Sequence, residues 1–362
     1  MSKATRSAIA FDVGAGGLRA CQLRRRGTRI GLIDALRGDW TTPVAQPSES
    51  GPVFDAARVA RAVGQGRFSG HDVSLLLSPP AVSFFPLQLP RQVLAQPPER
   101  LETAIRWEVS RGVREPAESL EIRHWLLPSA SAQTPNIMAV ATSVAVARDC
   151  HSRLSSAGAR LRRIDVTPCA LARVLALREQ PADELCAVLD LGARHTTLTM
   201  LISNVPIYVR ELPLCGPAWT RAIAGALDIS EEMAESVKRR VGIQPSEHAA
   251  RAGGVMDLSD RELPRVIFNL LRESLDALSR EIIDCFSYAY RGAPQLASSH
   301  LFLAGGGAKL VGLADYLQTV GGMPVSLLSS QSEEFVSVCH GLTFDPESAA
   351  ALGGALLDVE HE

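Results

Sequence analysis

Apolar residues along the chain fall into short runs separated by turn residues, and the pattern is clearest in the middle. The segment Ala187–Leu201 reads as an apolar strand ending at Asp190, a turn at Gly192 and a second strand. Glycine permits a backbone bend that other residues resist, and the β-branched residues of Thr196–Thr199 suit a strand. A third run, Val205–Leu212, follows two common turn residues. The pattern predicts three consecutive strands with an acid at the first turn.

The same pattern occurs once near the N-terminus. Residues Ala8–Leu23 predict a hairpin and Thr28–Arg37 a third strand. With a constant shift of 178 positions, Asp12 aligns with Asp190, and both begin the sequence Asp-x-Gly-Ala. Two similar hairpins of this kind indicate a duplicated core rather than a solenoid, whose repeats are about 20–50 residues long.

Between and after these repeats the pattern predicts further elements. Residues 79–148 read as a strand, a helix and two strands, which predicts a small inserted unit. Its helix, Arg100–Arg111, carries Trp107, which is expected to pack in the core of this unit, with partner contact as the alternative. Leu263–Tyr290 repeats apolar residues every three or four positions and predicts one long amphipathic helix or two shorter ones. A last helix, Ser348–Leu357, is expected to pack back on the first half.

Two Asp-Gly turns that face each other would form a cleft with two carboxylates and two sets of backbone N–H groups. The amides of a turn form an anion-binding concavity, and carboxylates favour hard cations such as Mg²⁺. The duplicated motif therefore predicts a site for a metal and a phosphate.

The length, charge and residue content of the chain exclude several classes of protein. At 362 residues the chain is long enough for two or more domains. Its net charge of −2 gives no global attraction to nucleic acid or to an acidic membrane. The sequence contains no Gly-Lys pair, which excludes the P-loop. Seven scattered cysteines without a C-x-x-C pair favour a reduced, cytoplasmic setting, and no apolar run approaches the ~20 residues of a membrane-spanning helix.

Three motifs, in this order, resemble those of the actin-like ATPase superfamily. They are a first phosphate motif at Asp12-Val13-Gly14, a second at Asp190-Leu191-Gly192-Ala193 and an adenosine motif at Leu303–Ala308. Two further segments, Ala104–Gly112 and Val205–Lys238, are more similar to the PilM family of type IV pilus assembly proteins than to other members such as the cell-division protein FtsA. The resemblance covers nearly the whole chain. It implies an α/β, actin-like ATPase fold, in which two ribonuclease-H-like halves surround a nucleotide cleft and carry a small inserted subdomain.

The resemblance also implies a division into four units. These are a first actin-like subdomain (residues 1–78, 149–184 and 340–362), the inserted subdomain (79–148), a second actin-like subdomain (185–228 and 300–339) and a helical subdomain on the nucleotide side (229–299).

Roles for single residues follow from the same resemblance. Asp12 and Asp190 would be the catalytic and Mg²⁺-associated carboxylates, and turn amides would hold the phosphates of ATP. Glu235 and Lys238 would contact ribose and adenine. The alternative is that they form a solvated ion pair, three residues apart on a helix, with no role in binding. The implied nucleotide-binding residues are Gly14, Gly16, Gly17, Gly192, Ala193, Arg194, Glu235, Lys238, Gly305, Gly306 and Gly307.

The first phosphate loop departs from the family pattern. Relatives carry a hydroxyl-rich loop often followed by Lys, whereas this chain has Gly14-Ala15-Gly16-Gly17, with Arg19 further on. The hydroxyl groups are lost and the backbone amides remain. Weaker nucleotide binding, or binding without hydrolysis, is therefore one hypothesis, and a weak ATPase activity is another.

The implied function is that of a cytoplasmic, ATP-binding bacterial scaffold of type IV pilus assembly or of a related secretion machine, peripheral to the inner membrane through its partners. It would dock the cytoplasmic N-terminal peptide of the inner-membrane protein PilN in a groove between residues 79–148 and the first half. The sequence leaves open whether the chain forms a homo-oligomer, and no nucleic-acid partner is expected. The alternatives are a small-molecule kinase of the same superfamily, a membrane tether resembling FtsA, and a nucleotide-free docking domain resembling the type II secretion protein GspL.

Overall fold

The structure is a computed structural model that describes residues 5–39, 56–113, 115–128, 134–181, 183–212, 214, 216–245, 262–293, 296–336 and 342–359. The first part of the chain contains β1 (Thr5–Arg6), β2 (Ile9–Gly14), β3 (Gly17–Arg26), β4 (Arg29–Asp39), α1 (Ala56–Gln65), β5 (Asp72–Leu77), β6 (Ser83–Leu87), α2 (Arg91–Leu94), α3 (Pro98–Val113), β7 (Leu120–Leu126), β8 (Ile137–Ser143), α4 (Val144–Ser156), β9 (Arg160–Val166) and α5 (Thr167–Leu175). The second part contains β10 (Glu184–Leu191), β11 (Thr196–Ile202), β12 (Val205–Leu212), α6 (Gly216–Leu227), α7 (Glu231–Val241), α8 (Leu263–Gly292), β13 (Ser298–Ala304), α9 (Leu313–Gly321), β14 (Val325–Leu327), α10 (Glu333–Val336) and α11 (Ala349–Leu356).

Two sheets of the same topology form the two halves. In the first, β2, β3 and β4 form an antiparallel meander, and β5 and β9 continue the sheet in parallel beside β2. In the second, β10, β11 and β12 form the meander, and β13 and β14 continue it in parallel beside β10. The short strand β1 adds to β3 in the first sheet. The predicted duplication is thus confirmed as two sheets with the same strand order.

The repeat extends to the pairing register. Asp12 lies opposite Arg19 in the first hairpin, and Asp190 lies opposite Thr197 in the second. The shift of 178 positions that aligns the two acids also aligns their partners. Each acid therefore occupies the same place near the carboxyl end of the first meander strand.

The inserted unit is a three-stranded antiparallel sheet, β6-β8-β7, covered by α3. Ile105 and Val109 face that sheet and are buried against apolar residues of its strands. The prediction that Trp107 packs in this core is wrong, because its side chain is 59% exposed. Residues four apart share one face of a helix, and Trp107 lies midway between Ile105 and Val109 on the other face. Its ring contacts the guanidinium of Arg111 instead, 4.8 Å from the ring centroid.

The inserted unit also contacts the second half. Strands β6 and β8 pack near β12, and Trp125 Nε1 donates a hydrogen bond of 2.8 Å to the carbonyl oxygen of Pro206 on β12. The Trp125 ring packs edge to face on Phe84. The unit is therefore held between the two halves, on one side of the cleft.

Helices α5 and α11 form an apolar layer shared by the two sheets. Their side chains pack in one core with Ala10 and Leu76 of the first sheet and with Val188 and Phe302 of the second. The predicted last helix thus packs on the first half, as expected, where it contacts α5 and strands β2, β3 and β5. The amphipathic segment after the second meander forms one helix, α8, whose buried face belongs to the core of the second half. The boundaries of the four units stay predictions.

None of the helices in the described ranges has both the length and the apolar character required to cross a bilayer.

The crossing of α5 and α11 leaves no room for a side chain. A Cβ atom added to Gly353 of α11 would lie 1.9 Å from the backbone oxygen of Ala170 on α5. Arg173 of α5 also donates from Nε to the carbonyl oxygen of Gly353, at 2.8 Å. Glycine at this position therefore sets how closely the two helices approach.

Gly353→Ala is expected to lower the free energy of unfolding by ~3 kcal/mol or more, because overpacking of a tight core costs about 1–3 kcal/mol and this clash involves backbone. Urea unfolding measures the change. The matched control is Gly225→Ala in α6, where an added Cβ meets no atom within 4 Å. That variant should be stabilised by roughly 0.5–1 kcal/mol, since alanine favours a helix. Equal effects of the two changes would contradict the tight crossing.

Candidate functional site

A cavity of about 1030 Å³ lies between the two halves. Its walls contain every residue that the sequence predicted for the site, namely Asp12, Gly14, Gly16, Gly17, Asp190, Gly192, Ala193, Arg194, Glu235, Lys238, Gly305, Gly306 and Gly307. The fold therefore brings motifs from four distant parts of the chain to one place. Whether these residues bind a nucleotide stays a prediction.

Two half-buried carboxylates face this cavity. Burial raises the pKa of Asp12 to about 6, and the positive charge of Arg19 opposes the shift. Burial, together with the negative charge of Asp12, raises the pKa of Asp190 to about 7. Hydrogen bonds from described residues contribute to neither shift. A cation between the two acids would favour their charged forms and offset the cost of burial.

The carboxylate pair fits a magnesium ion that is bound together with phosphate. Within the described ranges, no group of three or more His, Cys, Asp or Glu side chains is arranged to hold a metal ion. Mg²⁺ in phosphate-transfer sites binds through one or two carboxylates, keeps several waters and takes the remaining ligands from phosphate. Two carboxylates beside a predicted phosphate position match this kind of magnesium site, and not one in which the protein supplies all the ligands. Asp12 and Asp190 are the residues that would hold the ion.

The two Asp-Gly turns meet at their tips. In the first hairpin Gly14 pairs with Gly17, so the turn itself has only two residues. In the second, the Gly192 N–H donates to the carbonyl oxygen of His195 at 3.0 Å, and a Cβ on Gly192 would lie 2.6 Å from that oxygen. A Cβ on Gly16 would lie 3.1 Å from the Cβ of Ala193. The two turns thus lie next to each other in the wall of the cavity.

The third glycine-rich turn packs on the end of β10. Gly305 has a φ of +77°, and a Cβ there would lie 2.5 Å from Asp190 Oδ1. A Cβ on Gly307 would lie 2.8 Å from the Cβ of Leu191. A side chain at either place would displace the acid or its strand, so these positions require glycine.

Glu235 and Lys238 form a network with Thr220 of the neighbouring helix. Lys238 Nζ donates to Glu235 Oε2 at 2.5 Å and to Thr220 Oγ1 at 2.7 Å. Thr220 Oγ1 donates to the same carboxylate oxygen at 2.5 Å, and Arg239 Nε donates to Glu235 Oε1 at 2.7 Å. The Lys238 side chain is only 10% exposed and that of Glu235 is 34% exposed, so the two form a pair three residues apart that is half-buried rather than fully solvated. Burial acts to raise the pKa of Glu235, but the hydrogen bonds from Lys238 and Thr220 prevail and lower it to about 2.

Sequence reasoning missed a charged cluster at the same cavity. Glu347, in the segment before α11, forms ion pairs with Arg19, Arg37 and Lys309, and all four residues line the cavity. The four side chains come from β3, β4, the turn after β13 and the segment before α11. No local motif joins them, so the sequence offered no signal for this cluster.

The cavity extends from the two Asp-Gly turns toward the inserted unit. This part is lined by Ser78, Ala81, Ser83, Val113, Glu115, Leu120, Thr142 and Ser143. The region that the sequence predicted for a partner peptide therefore opens into the same cavity as the acids and the glycine-rich turns.

Two family models match this chain. Residues 94–250 match the model described as type IV pilus assembly protein PilM, and residues 187–353 match the model described as cell division protein FtsA. Among curated proteins, the cell division protein FtsA of Borreliella burgdorferi (strain ATCC 35210 / DSM 4680 / CIP 102532 / B31) is 25% identical over an alignment of 185 residues, with coverage of 48% of this chain and 43% of that protein. The aligned part of this chain thus spans less than half the length of that relative.

Among solved structures, the PilM-PilN type IV pilus biogenesis complex contains a similar chain. It is 27% identical, with a TM-score of 0.73 and coverage of 98% of both chains. The ethanolamine utilization protein EutJ from Carboxydothermus hydrogenoformans is 14% identical, with a TM-score of 0.51 and coverage of 98% of this chain and 90% of that one, which is a likeness of fold alone. These likenesses confirm the predicted resemblance to PilM and the α/β, actin-like ATPase fold.

Glu235→Gln is expected to lower the free energy of unfolding at pH 7 by about 1–2 kcal/mol, because hydrogen bonds to charged groups contribute ~1.5–3 kcal/mol and partial exposure screens this pair. The pKa of Glu235 is about 2 in the folded protein and 4.5 normally. The stabilisation by its charge is therefore complete above pH 4.5 and lost as the pH falls toward 2. Urea unfolding between pH 7 and pH 3 measures it.

The control for this prediction is Glu232→Gln, an exposed glutamate on the same helix. It should change the free energy of unfolding by less than about 0.5 kcal/mol at any pH, as surface substitutions do. A difference between wild type and Glu235→Gln that stays constant from pH 7 to pH 3 would rule out the charged network.

Proposed function

We propose that this chain is a scaffold of type IV pilus assembly, or of a related secretion machine, on the cytoplasmic side of the inner membrane. In this proposal its cleft binds ATP with Mg²⁺, and its inserted unit helps to dock the N-terminal peptide of a PilN-like membrane protein. The observation that carries the proposal is the likeness to the PilM-PilN complex over 98% of both chains. The single cavity that joins all the predicted site residues supports it.

The nucleotide would lie along the cavity, with its phosphates toward the two Asp-Gly turns. Backbone amides near Gly14 and Gly192 would bind phosphate oxygens, as turn amides do in anion sites. Asp12 and Asp190 would hold the metal ion, which supplies charge neutralisation at the phosphates. Lys238 and its network with Glu235 would form the wall on the nucleoside side. The missing hydroxyl groups of the first loop favour binding over rapid hydrolysis.

The partner peptide would occupy the part of the cavity between the inserted unit and the first half. Because that part is continuous with the phosphate turns, nucleotide and peptide would be bound by neighbouring walls of one space. Any effect of the nucleotide on peptide affinity must then be matched by an equal effect of the peptide on nucleotide affinity. Attachment to the membrane would come from the partner.

Calorimetric titration with Mg²⁺-ATP tests the nucleotide site, and Asp190→Asn is expected to weaken ATP binding at least tenfold.

The same change should stabilise the nucleotide-free protein at pH 8 by roughly 1–2 kcal/mol, because it removes a charge that is costly in the folded state. The pKa of Asp190 is raised from 3.8 to about 7, so the stability of wild type falls as the pH rises between these values. The stability of the Asp190→Asn variant should not fall in this way as the pH rises.

The control for this titration is Asp284→Asn, on the exposed side of α8, which should change neither binding nor stability. Equal ATP binding by wild type and Asp190→Asn would refute the role of this acid. If wild type itself takes up no ATP, the chain is a docking scaffold without a nucleotide.

Peptide docking is tested by fluorescence anisotropy with a labelled N-terminal peptide of the PilN-like protein from the same organism. Ser83→Arg is expected to lower peptide affinity at least tenfold, because Ser83 is exposed on β6 and lines the cavity, where a long side chain fills the groove. Saturating Mg²⁺-ATP should change the wild-type affinity. The control is Thr103→Arg on the exposed face of α3, and equal loss in both variants would place the groove elsewhere.

A further inference from the structure

Exposed arginines form one patch on the first sheet, away from the cleft. Arg6 lies directly opposite Arg24 in the pairing of β1 with β3, and Arg26 lies opposite Arg29 in the pairing of β3 with β4. Arg24 and Arg26 are two residues apart on one strand, so their side chains point to the same face of the sheet. Each of these residues is exposed. We call this set the arginine patch, and its members are Arg6, Arg24, Arg26 and Arg29.

The arginine patch lies on the face of the sheet that is turned away from α5 and α11. Arg25, between two members of the patch, points to the opposite face, where its Nη1 donates to the carbonyl oxygen of Val359 at 2.7 Å. Ile30, which lies opposite Arg25, packs against the apolar layer that contains α5 and α11. Because neighbouring residues of a strand alternate between faces, the patch points away from that layer.

The patch also lies at the end of the first sheet that is opposite the cleft. Strand β3 begins at Gly17, in the first Asp-Gly turn, and its 10 residues end at Arg26. A strand of this length spans about 30 Å, at ~3.3 Å per residue. None of the members of the patch lines the cavity between the halves. The patch is therefore a surface of its own and does not belong to the predicted nucleotide site.

The positive charges of the patch repel one another. Like charges directly opposite each other in an antiparallel pair are destabilising, and the patch contains two such pairs. Among the residues that the structure describes, no carboxylate forms an ion pair with a member of the patch. Arg6 Nη1 donates to Ser69 Oγ at 2.7 Å, which is a neutral partner. An external anion would therefore relieve a repulsion that the fold itself leaves in place.

Acids beside the first sheet at this end have other partners. Asp72, which begins β5, accepts from Arg160 Nε at 2.5 Å. Asp358 accepts from Arg163 Nη1 at 2.7 Å, and Asp34 of β4 accepts from a backbone N–H at 2.6 Å. The patch thus presents a local positive charge on a chain whose net charge is −2.

An exposed row of arginines is suited to a surface that carries many phosphate groups. The guanidinium group binds phosphate through a planar array of N–H donors. Every Lys or Arg close to an anionic membrane adds to the attraction, which acts over about one Debye length, ~10 Å at 0.1 M salt. Charges elsewhere on the chain are screened at such distances. A local patch can therefore attract an anionic membrane although the whole chain is slightly negative.

We propose that the arginine patch is a contact surface for the anionic phospholipid headgroups of a membrane. This inference rests on the proposed position of the chain at the inner membrane. The membrane-protein partner would attach the chain, and the patch would add a second, weak contact that orients it. Two linked contacts bind more tightly than either one alone. The bilayer would then face the end of the first sheet that is opposite the cleft, and the cleft would face the cytoplasm.

The test is co-sedimentation of the full chain with lipid vesicles, without nucleotide or peptide. At low ionic strength wild type should bind vesicles that contain phosphatidylglycerol and phosphatidylcholine in equal amounts, and it should not bind vesicles of phosphatidylcholine alone. Salt at ~1 M should abolish the binding, because the Debye length then falls to ~3 Å.

The double variant Arg24→Glu with Arg26→Glu should lower vesicle affinity by at least ~20-fold, because each arginine near an anionic surface contributes about fivefold. Its melting temperature should equal or exceed that of wild type. The two substitutions place carboxylates opposite Arg6 and Arg29, and opposite charges across a strand pair are stabilising. Loss of vesicle binding would therefore not result from unfolding.

The matched control is the double variant Arg221→Glu with Arg280→Glu. It makes the same change in net charge at exposed arginines of α6 and α8, in the second half. Its vesicle affinity should stay within about twofold of wild type, because the attraction is local. Equal losses in the two double variants would overturn the proposal, and so would wild-type binding that does not distinguish anionic from neutral vesicles.

The outcomes separate this inference from the proposed function. If vesicle binding depends on the patch while neither ATP nor the partner peptide binds, the membrane contact stands and the pilus scaffold is rejected. If the peptide binds and anionic vesicles do not, the inference is overturned and attachment comes from the partner alone. Patch-dependent binding of duplex DNA without binding of vesicles would also overturn it, in favour of a nucleic-acid surface.

Discussion

The near contact between the backbones of α5 and α11 determines how the rest of the molecule is arranged. These two helices form the apolar layer between the sheets, and Gly353 allows them to approach until a Cβ would touch Ala170. The central strands β2 and β10 pack on this layer, and each ends in an acid and a turn. A thicker layer would move the two turns apart. The tips at Gly16 and Ala193 lie close to each other because the helices beneath them do.

Above this apolar layer the structure concentrates charge. Asp12 and Asp190 are half-buried near each other with raised pKa values, which costs stability at neutral pH. Glu235 and Lys238, in contrast, form an ion pair in the wall of the same cavity. The pKa values of Asp12 and Asp190 are therefore raised, whereas that of Glu235 is lowered. A cation bound between Asp12 and Asp190 would stabilise their charged forms. The charge of Glu235 is already neutralised by Lys238. Such separation of pKa values within one cavity is typical of binding and catalytic sites.

Much of this arrangement could be predicted from the sequence, because strong local patterns specify it. The repeated Asp-x-Gly-Ala and its flanking apolar runs predicted both hairpins, and the register bears out the alignment. The core position of Trp107 was predicted wrongly, because a single residue was not weighed against the stripe formed by Ile105 and Val109. The burial of Lys238 depends on Thr220 from another helix. The cluster around Glu347 joins four distant segments, which no local pattern can reveal.

The hydrogen bond between Trp125 and Pro206 has a consequence beyond the cleft. Strand β12 is one of the two edge strands of the second sheet, and such a strand offers unpaired backbone groups to any extended chain that approaches it. Here the inserted unit contacts that strand, the indole satisfies one of its carbonyl groups, and proline at the same residue has no N–H to offer. The insertion therefore also covers part of an open sheet edge, which leaves less of that edge accessible to strand addition by another chain.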